Sequence, residues 1–230
     1  VTTGSQVTFV GAYSGPGTST TSTGTRNTGY GYSALSVVTS GNDNTGIGPN
    51  SLVSTTTGSN NTAVGSSAGY KNTSGAGNTY VGYQAGYAIT TGGANVAIGQ
   101  GTLQSGTNTA SHNVAIGYAA ANNITSGSHN VAIGGNDGSG NSAFFSNTTG
   151  QYNVAVGNGS LQANTTGANN TAVGYQAGYN NTSSSSSTAI GYQALYTNAT
   201  GLYNVAVGSQ ALVSNTAGGN TAIGVTALYS

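Results

Sequence analysis

A pentapeptide, Asn-(Thr/Val)-Ala-(Val/Ile)-Gly, recurs along this chain and is followed by x-x-Ala-(Leu/Gly). Its glycines are Gly11, Gly31, Gly48, Gly65, Gly82, Gly99, Gly117, Gly134, Gly157, Gly174, Gly191, Gly208 and Gly224. The steps between them are 20, 17, 17, 17, 17, 18, 17, 23, 17, 17, 17 and 16 residues. Thirteen copies at one period describe stacked units, each touching only its neighbours, and not an ordinary globular core. Such a chain offers a long regular surface in place of a single cleft.

The copies are numbered here as coils 1–13, with positions counted from each glycine as zero. Position −1 is Val64, Val81, Ile98, Ile116, Ile133, Val156, Val173, Ile190, Val207 and Ile223 in ten of the coils. These β-branched residues favour strands. Position −3 alternates between Thr and Val, and position −2 is usually Ala or Gly. Strand side chains alternate faces, so −1 and −3 share one side and −2 lies on the other. The larger aliphatics are therefore expected to form the core. The glycine ends the strand at a corner, and position +4 supplies Leu35, Leu52, Leu103, Leu161, Leu195, Leu212 and Leu228. The remaining residues are turn formers such as Asn-Thr-Thr-Gly. The expected fold is all-β: a parallel β-solenoid (β-roll) of thirteen coils of ~17 residues. Residues 1–230 are read as a single repeat domain, part of a longer fibre.

Position −4 is Asn27, Asn44, Asn61, Asn78, Asn95, Asn113, Asn130, Asn153, Asn170, Asn204 and Asn220. Stacked coil on coil, these amides are expected to bond in a ladder.

Composition narrows the function. Charged residues are 2%, being Arg26, Lys71, Asp43 and Asp137, and they cancel; typical soluble domains carry roughly 25%. With no basic excess, nucleic-acid binding and polybasic membrane contact are excluded. No apolar run is long enough to span a membrane as a helix. There is no cysteine and no methionine, so the main oxidisable side chains are missing, which suits an extracellular setting. There is no Glu, and the two Asp are far apart in sequence. Paired-carboxylate and triad chemistry lack their parts, so the chain is read as not an enzyme, with no cofactor and no metal.

Each coil carries few apolar side chains against an ordering cost of roughly 1–2 kcal/mol per residue. Further burial is expected between copies, through the small-residue column at −2: Ala63, Ala97, Ala115, Ala132, Ala155, Ala172, Ala189, Ala206 and Ala222.

Asn-Val-Ala-Ile-Gly at 95–99, 113–117 and 130–134 resembles the head repeat of trimeric autotransporter adhesins, whose signature is Ser-Val-Ala-Ile-Gly-x-x-Ser/Ala. It is also similar to repeats of bacteriophage tail fibres and other bacterial surface fibres. The resemblance covers roughly residues 5–230. It implies a left-handed parallel β-roll, three chains around one axis, attachment to cells or glycans, and a place outside the cell, on a cell surface or virion tail. The homo-oligomer is expected as a trimer, with a self-assembling filament or sheath as the alternative. Ice binding is a remote alternative, because the Thr column at −3 is interrupted by Val96, Val114, Val131, Val154 and Val205 and shares the face assigned to the core.

Tyr83, Tyr87, Tyr175, Tyr179, Tyr192 and Tyr196 fall in phase, at +1 or +5. They can meet a sugar ring, or stack on neighbouring coils and shield the seam. His112 and His129 share position −5, without a carboxylate or thiolate nearby. The 23-residue step places an inserted loop at 135–143, where Asp137 alone is too little for a tight calcium site. Asn-x-Ser/Thr sequons occur at Asn60, Asn72, Asn123, Asn147, Asn164, Asn169, Asn180, Asn181 and Asn198.

Overall fold

The computed structural model describes residues 6–17, 22–105, 108–136 and 138–229. Two compact units divide at a coil boundary, Val1–His112 and Asn113–Ser230. The first holds β1 (Thr8–Val10), β2 (Thr28–Tyr30), β3 (Thr45–Ile47), β4 (Thr62–Val64), β5 (Thr79–Val81) and β6 (Val96–Ile98). The second holds β7 (Val114–Ile116), β8 (Val131–Ile133), β9 (Val154–Val156), β10 (Thr171–Val173), β11 (Thr188–Ile190), β12 (Val205–Val207) and β13 (Thr221–Ile223).

Every motif copy makes one three-residue strand. Within each unit, neighbouring strands pair in parallel with equal motif positions opposite one another. Thr62, Ala63 and Val64 face Thr79, Tyr80 and Val81, and Thr171, Ala172 and Val173 face Thr188, Ala189 and Ile190. One lap of backbone per copy is the parallel β-solenoid expected from the period, and no helix occurs among the described residues.

The corner requires glycine twice over. At Gly174 φ is +134°, and an added Cβ would lie 2.5 Å from the Gly191 carbonyl oxygen. The next coil's backbone passes too close for any side chain. Other bends use the left-handed region without glycine. Leu52 has φ 49°, Leu195 54° and Gln193 50°, a conformation that disfavours side chains with a Cβ. Their coils hold it because backbone bonds cross to the neighbour on both flanks. Leu161 N–H donates to the Ala177 carbonyl at 3.0 Å, and Thr165 N–H to that of Thr182 at 2.8 Å. The Thr165 hydroxyl donates to the same oxygen at 3.0 Å. The Asn-Thr-Thr-Gly segments are thus a further hydrogen-bonded line along each unit, beyond turns.

The strand faces are inverted relative to the expectation. Position −2 is the buried one: Ala63, Ala97, Ala115, Ala132, Ala155, Ala172 and Ala206 are all at 0% exposure. The aliphatics assigned to the core look outward. Val64, Ile98, Ile133, Val173 and Ile190 are exposed, at 36–39%, Val81, Ile116, Val156 and Val207 are half-exposed, and Ile223 at the end of its unit reaches 73%. The interior is filled by other positions: Leu35, Leu52, Leu103, Leu161 and Leu195 at +4, alanines at +3, and Ile89 and Ile124 ten residues before the corner. A Leu reaching across the coil leaves room for only a methyl group opposite it. Close packing therefore sets the small residue inward and the large one out.

Two coils with a large residue at −2 obey the same volume rule. Tyr80 and Phe9 occupy the inward −2 position, and their coils carry Gly86 and Gly15 at +4 in place of Leu. A Cβ on Gly86 would sit 2.2 Å from Tyr80 Cδ1, and one on Gly15 2.5 Å from Phe9 Cδ2. Conversely, Gly29 and Gly46 at −2 accompany Leu35 and Leu52. Coil 8 absorbs its insertion between the corner and +3: Ala143 N–H bonds the Gly134 carbonyl at 3.1 Å, and Phe144 fills the +4 site, fully buried. Asp137 of that loop lies outside the described residues.

Candidate functional site

The chain presents three regular side-chain systems, one internal and two external.

The internal system is the asparagine ladder. Asn61 donates its backbone N–H and its Nδ2 to Asn44 Oδ1, both at 3.0 Å, and Nδ2 also donates to the Gly75 carbonyl at 2.8 Å. Asn78 and Asn95 repeat this upward, as do Asn130 and Asn153 in the second unit, while Asn170 gives its N–H to Asn153 Oδ1 and its Nδ2 to the Ser184 carbonyl. Asn27 and Asn113 start these runs, and Asn220 N–H bonds Asn204 Oδ1 at 2.9 Å. Ser187 interrupts the column, yet its hydroxyl accepts from Asn204 N–H at 3.2 Å and keeps the line connected. Nearly all of these amides are buried, so the ladder is a structural element and no ligand reaches it. A second buried set, Asn147, Asn164, Asn181 and Asn198, reads in the sequence as turn formers and sequons and not as a ladder. Asn164 Nδ2 donates to Asn147 Oδ1 at 3.0 Å. Its signal was present: Asn recurs ten residues before four successive corner glycines. With Asn72, these are five of the sequons named above, and their side chains are closed to any modifying enzyme in the folded chain.

The first external system is the outward strand face. In each unit it runs two side chains wide, Thr or Val at −3 beside Val or Ile at −1, every strand in register with the next. A repeated row of exposed β-branched side chains is more than scattered surface apolarity.

The second external system is aromatic. Tyr70 and Tyr87 stack with centroids 4.9 Å apart, Tyr179 and Tyr196 at 5.1 Å, and Tyr175 and Tyr192 at 5.7 Å. Coil spacing imposes these distances, and near-parallel rings at 8–13° follow from identical rotamers in successive coils. Ring faces inside each pair are therefore occupied by one another. Tyr83 is exposed. Between the Tyr175–Tyr192 and Tyr179–Tyr196 pairs runs an amide line: Gln193 Nε2 donates to Gln176 Oε1 at 2.8 Å, and Gln210 Nε2 to Gln193 Oε1 at 3.4 Å.

The remaining candidates stay apart from these systems. His129 stacks on Tyr152 at 4.9 Å. Arg26 donates Nε and Nη2 to the two Asp43 oxygens at 2.6 and 2.7 Å; this hydrogen bonding holds the carboxyl below its usual value, on an exposed edge. Among the described residues no group of three or more His, Cys, Asp or Glu could hold a metal ion. Nor is any helix long and apolar enough to cross a membrane. No family model, curated protein or solved structure matches the chain.

Proposed function

We propose that this chain is a structural and adhesive fibre module, a homotrimer whose strand faces pack together around a common axis and whose remaining surface serves attachment. The observation that carries the proposal is the outward Val/Ile row. A solenoid that buries alanine and exposes isoleucine in coil after coil leaves its larger apolar side chains in water. Packing copies of the same face against one another removes that exposure at every coil simultaneously. The association surface is therefore the −1/−3 face and not the Ala column, which lies inside the coil. The left-handed trimer and the extracellular place, on a cell surface or virion tail, come from the resemblance to adhesin heads and tail fibres.

Sedimentation equilibrium tests the assembly. A discrete species of three times the 22.2 kDa chain mass supports it. Monomers at all concentrations refute it, and an open-ended mass distribution favours the filament. Ile190→Asp, which places a carboxylate in the row, is expected to dissociate the trimer. The outward turn also places Thr28, Thr45, Thr62, Thr79, Thr171 and Thr188 on the outer face, Thr28 and Thr62 exposed and the others half-buried, as an ice-binding face would need. The Val replacements still interrupt that column, and thermal hysteresis by a monomeric chain would favour this reading over the fibre.

A further inference from the structure

Two columns of side chains flank the outward strand face. Position −5 stands before the strand, and position +1 stands past the glycine corner. In coils 9–12 of the second unit the −5 residues are Tyr152, Asn169, Ser186 and Tyr203, and the +1 residues are Asn158, Tyr175, Tyr192 and Ser209. Each of these coils carries one tyrosine, on one flank or the other and never on both. All four rings are 40–68% exposed. Large stands opposite small in coil 8 too, His129 with Gly135, and in coil 5 of the first unit, Tyr83 with Gly77. Coils 1, 3, 4 and 6 carry no aromatic ring on either flank. Coil 7 straddles the two units. Among coils lying within one unit, only coil 2 has a long side chain on both flanks, Arg26 and Tyr32, and a guanidinium and a phenol ring attract each other.

This trade of sizes has no cause within one copy. The strand advances about 3.3 Å per residue, so −5 and +1 lie more than about 13 Å apart, with the strand face between them. Copies related by rotation about an axis parallel to the stack do bring the two columns together. Such a rotation keeps every coil at its own height. When strand faces meet around the axis, the +1 flank of one copy lies beside the −5 flank of the next. Residues of the same coil then oppose each other across the contact, where one ring fills the space that two would overfill. Tyr203 adds a second sign. It holds φ 60° and is the most exposed of the four rings. That backbone conformation disfavours a bulky residue, and a lone copy gives the ring nothing in return.

The areas are of the right order. At roughly 200 Å² per ring, the four tyrosines place roughly 400 Å² of exposed aromatic surface on the two flanks, against the roughly 1,200–2,000 Å² that a stable interface buries in total. The Val/Ile row between the flanks adds to it.

We infer that the flanks are part of the contact between copies, the +1 column of one chain docking on the −5 column of the next at the same coil. The inference rests on the trimer reading above and deepens it by naming the register and the residues that meet.

A swap of sizes at coil 12 tests it, by sedimentation equilibrium in the urea concentration that leaves half of the parent chain assembled. Ser209→Tyr sets a ring against Tyr203 of the partner subunit, and Tyr203→Ser leaves two small residues opposed. Each is expected to weaken assembly at least about tenfold, with far-UV circular dichroism unchanged because both sites lie on the surface. Tyr203→Ser combined with Ser209→Tyr moves the ring to the other flank and is expected to return assembly to within about threefold of the parent. A combined variant as weak as the product of the two single effects, or Ser209→Tyr assembling like the parent, overturns the flank pairing and spares the trimer. A parent chain that is monomeric without urea, or open-ended in mass, overturns the trimer reading and the pairing with it.

Discussion

Gly86→Ala is the most informative single change, because it tests the volume rule that turns this solenoid's alanines inward. Gly86 and Gly69 lie on either side of the Tyr80 ring: an added Cβ at 86 would stand 2.2 Å from Cδ1 and 2.3 Å from Cε1, and one at 69 would stand 2.6 Å from Cδ2. Carbon atoms rest at roughly 3.5–4.0 Å, so the ring would have to retreat by more than about 1 Å. The backbone at Gly69 blocks that retreat. Overpacking of this kind costs about 1–3 kcal/mol, and a Cβ at φ +62° adds about 1 kcal/mol. The expected loss is about 2–4 kcal/mol. Tyr80→Ala alone leaves a cavity costing about 3–5 kcal/mol, offset by about 1–3 kcal/mol because the buried Tyr80 hydroxyl has no hydrogen-bond partner. Tyr80→Ala with Gly86→Leu recreates the Ala189–Leu195 pairing of coil 11. A favourable coupling of about 2 kcal/mol or more is expected in the double-mutant cycle. Urea unfolding followed by circular dichroism measures it, at one fixed chain concentration because association shifts the midpoint. A Gly86→Ala variant within about 0.5 kcal/mol of the parent, or strictly additive changes, would refute the reasoning.

Gly174→Ala combines φ +134° with a 2.5 Å approach to the Gly191 oxygen; a loss above about 4 kcal/mol or failure to fold is expected, and a normal urea midpoint would contradict the corner geometry. Asn130→Ala takes away the Oδ1 that accepts from the buried Asn153 N–H and Nδ2, and the Nδ2 bonds to Asn113 Oδ1 and the Gly150 carbonyl; about 2–4 kcal/mol should be lost in the same assay, against little for Asn60→Ala on the surface. Burial raises the Tyr80 hydroxyl well above 10.0. The folded chain thus holds this proton more tightly than the unfolded one, so the contribution is full below pH 10.0 and is lost as pH rises beyond it. Tyr80→Phe should weaken that alkaline loss and raise stability at neutral pH, as thermal melts at pH 7 and above 10 would show. Arg26→Ala, removing an exposed pair, should leave the melting temperature unchanged within error.

The candidate surfaces were legible to different degrees. The asparagine ladder was readable because its residues hold one phase, and stacking any phase-locked amide produces the same bonds. The tyrosine pairs were readable as columns, because Tyr175 with Tyr192 and Tyr179 with Tyr196 keep one phase in successive coils. The Phe144 site was hidden by the insertion, which moves +4 ten residues from Gly134.

The sequence by itself determined the coil: glycines at a period of 17 allow one lap per copy, and a short β-branched run ending at glycine allows one strand per lap. It did not determine which face of that strand is inside. Alternation with period two is symmetric between the faces, and the rule that larger aliphatics go inward fails when the interior is one side chain deep. The tertiary structure decided it through volume. Leu195 reaching across its coil admits only the Ala189 methyl opposite, and Ile190 turns outward for want of space. The clue lay in pairs within one coil, Tyr80 with Gly86 and Gly46 with Leu52, whose sizes compensate only if both side chains share the same interior.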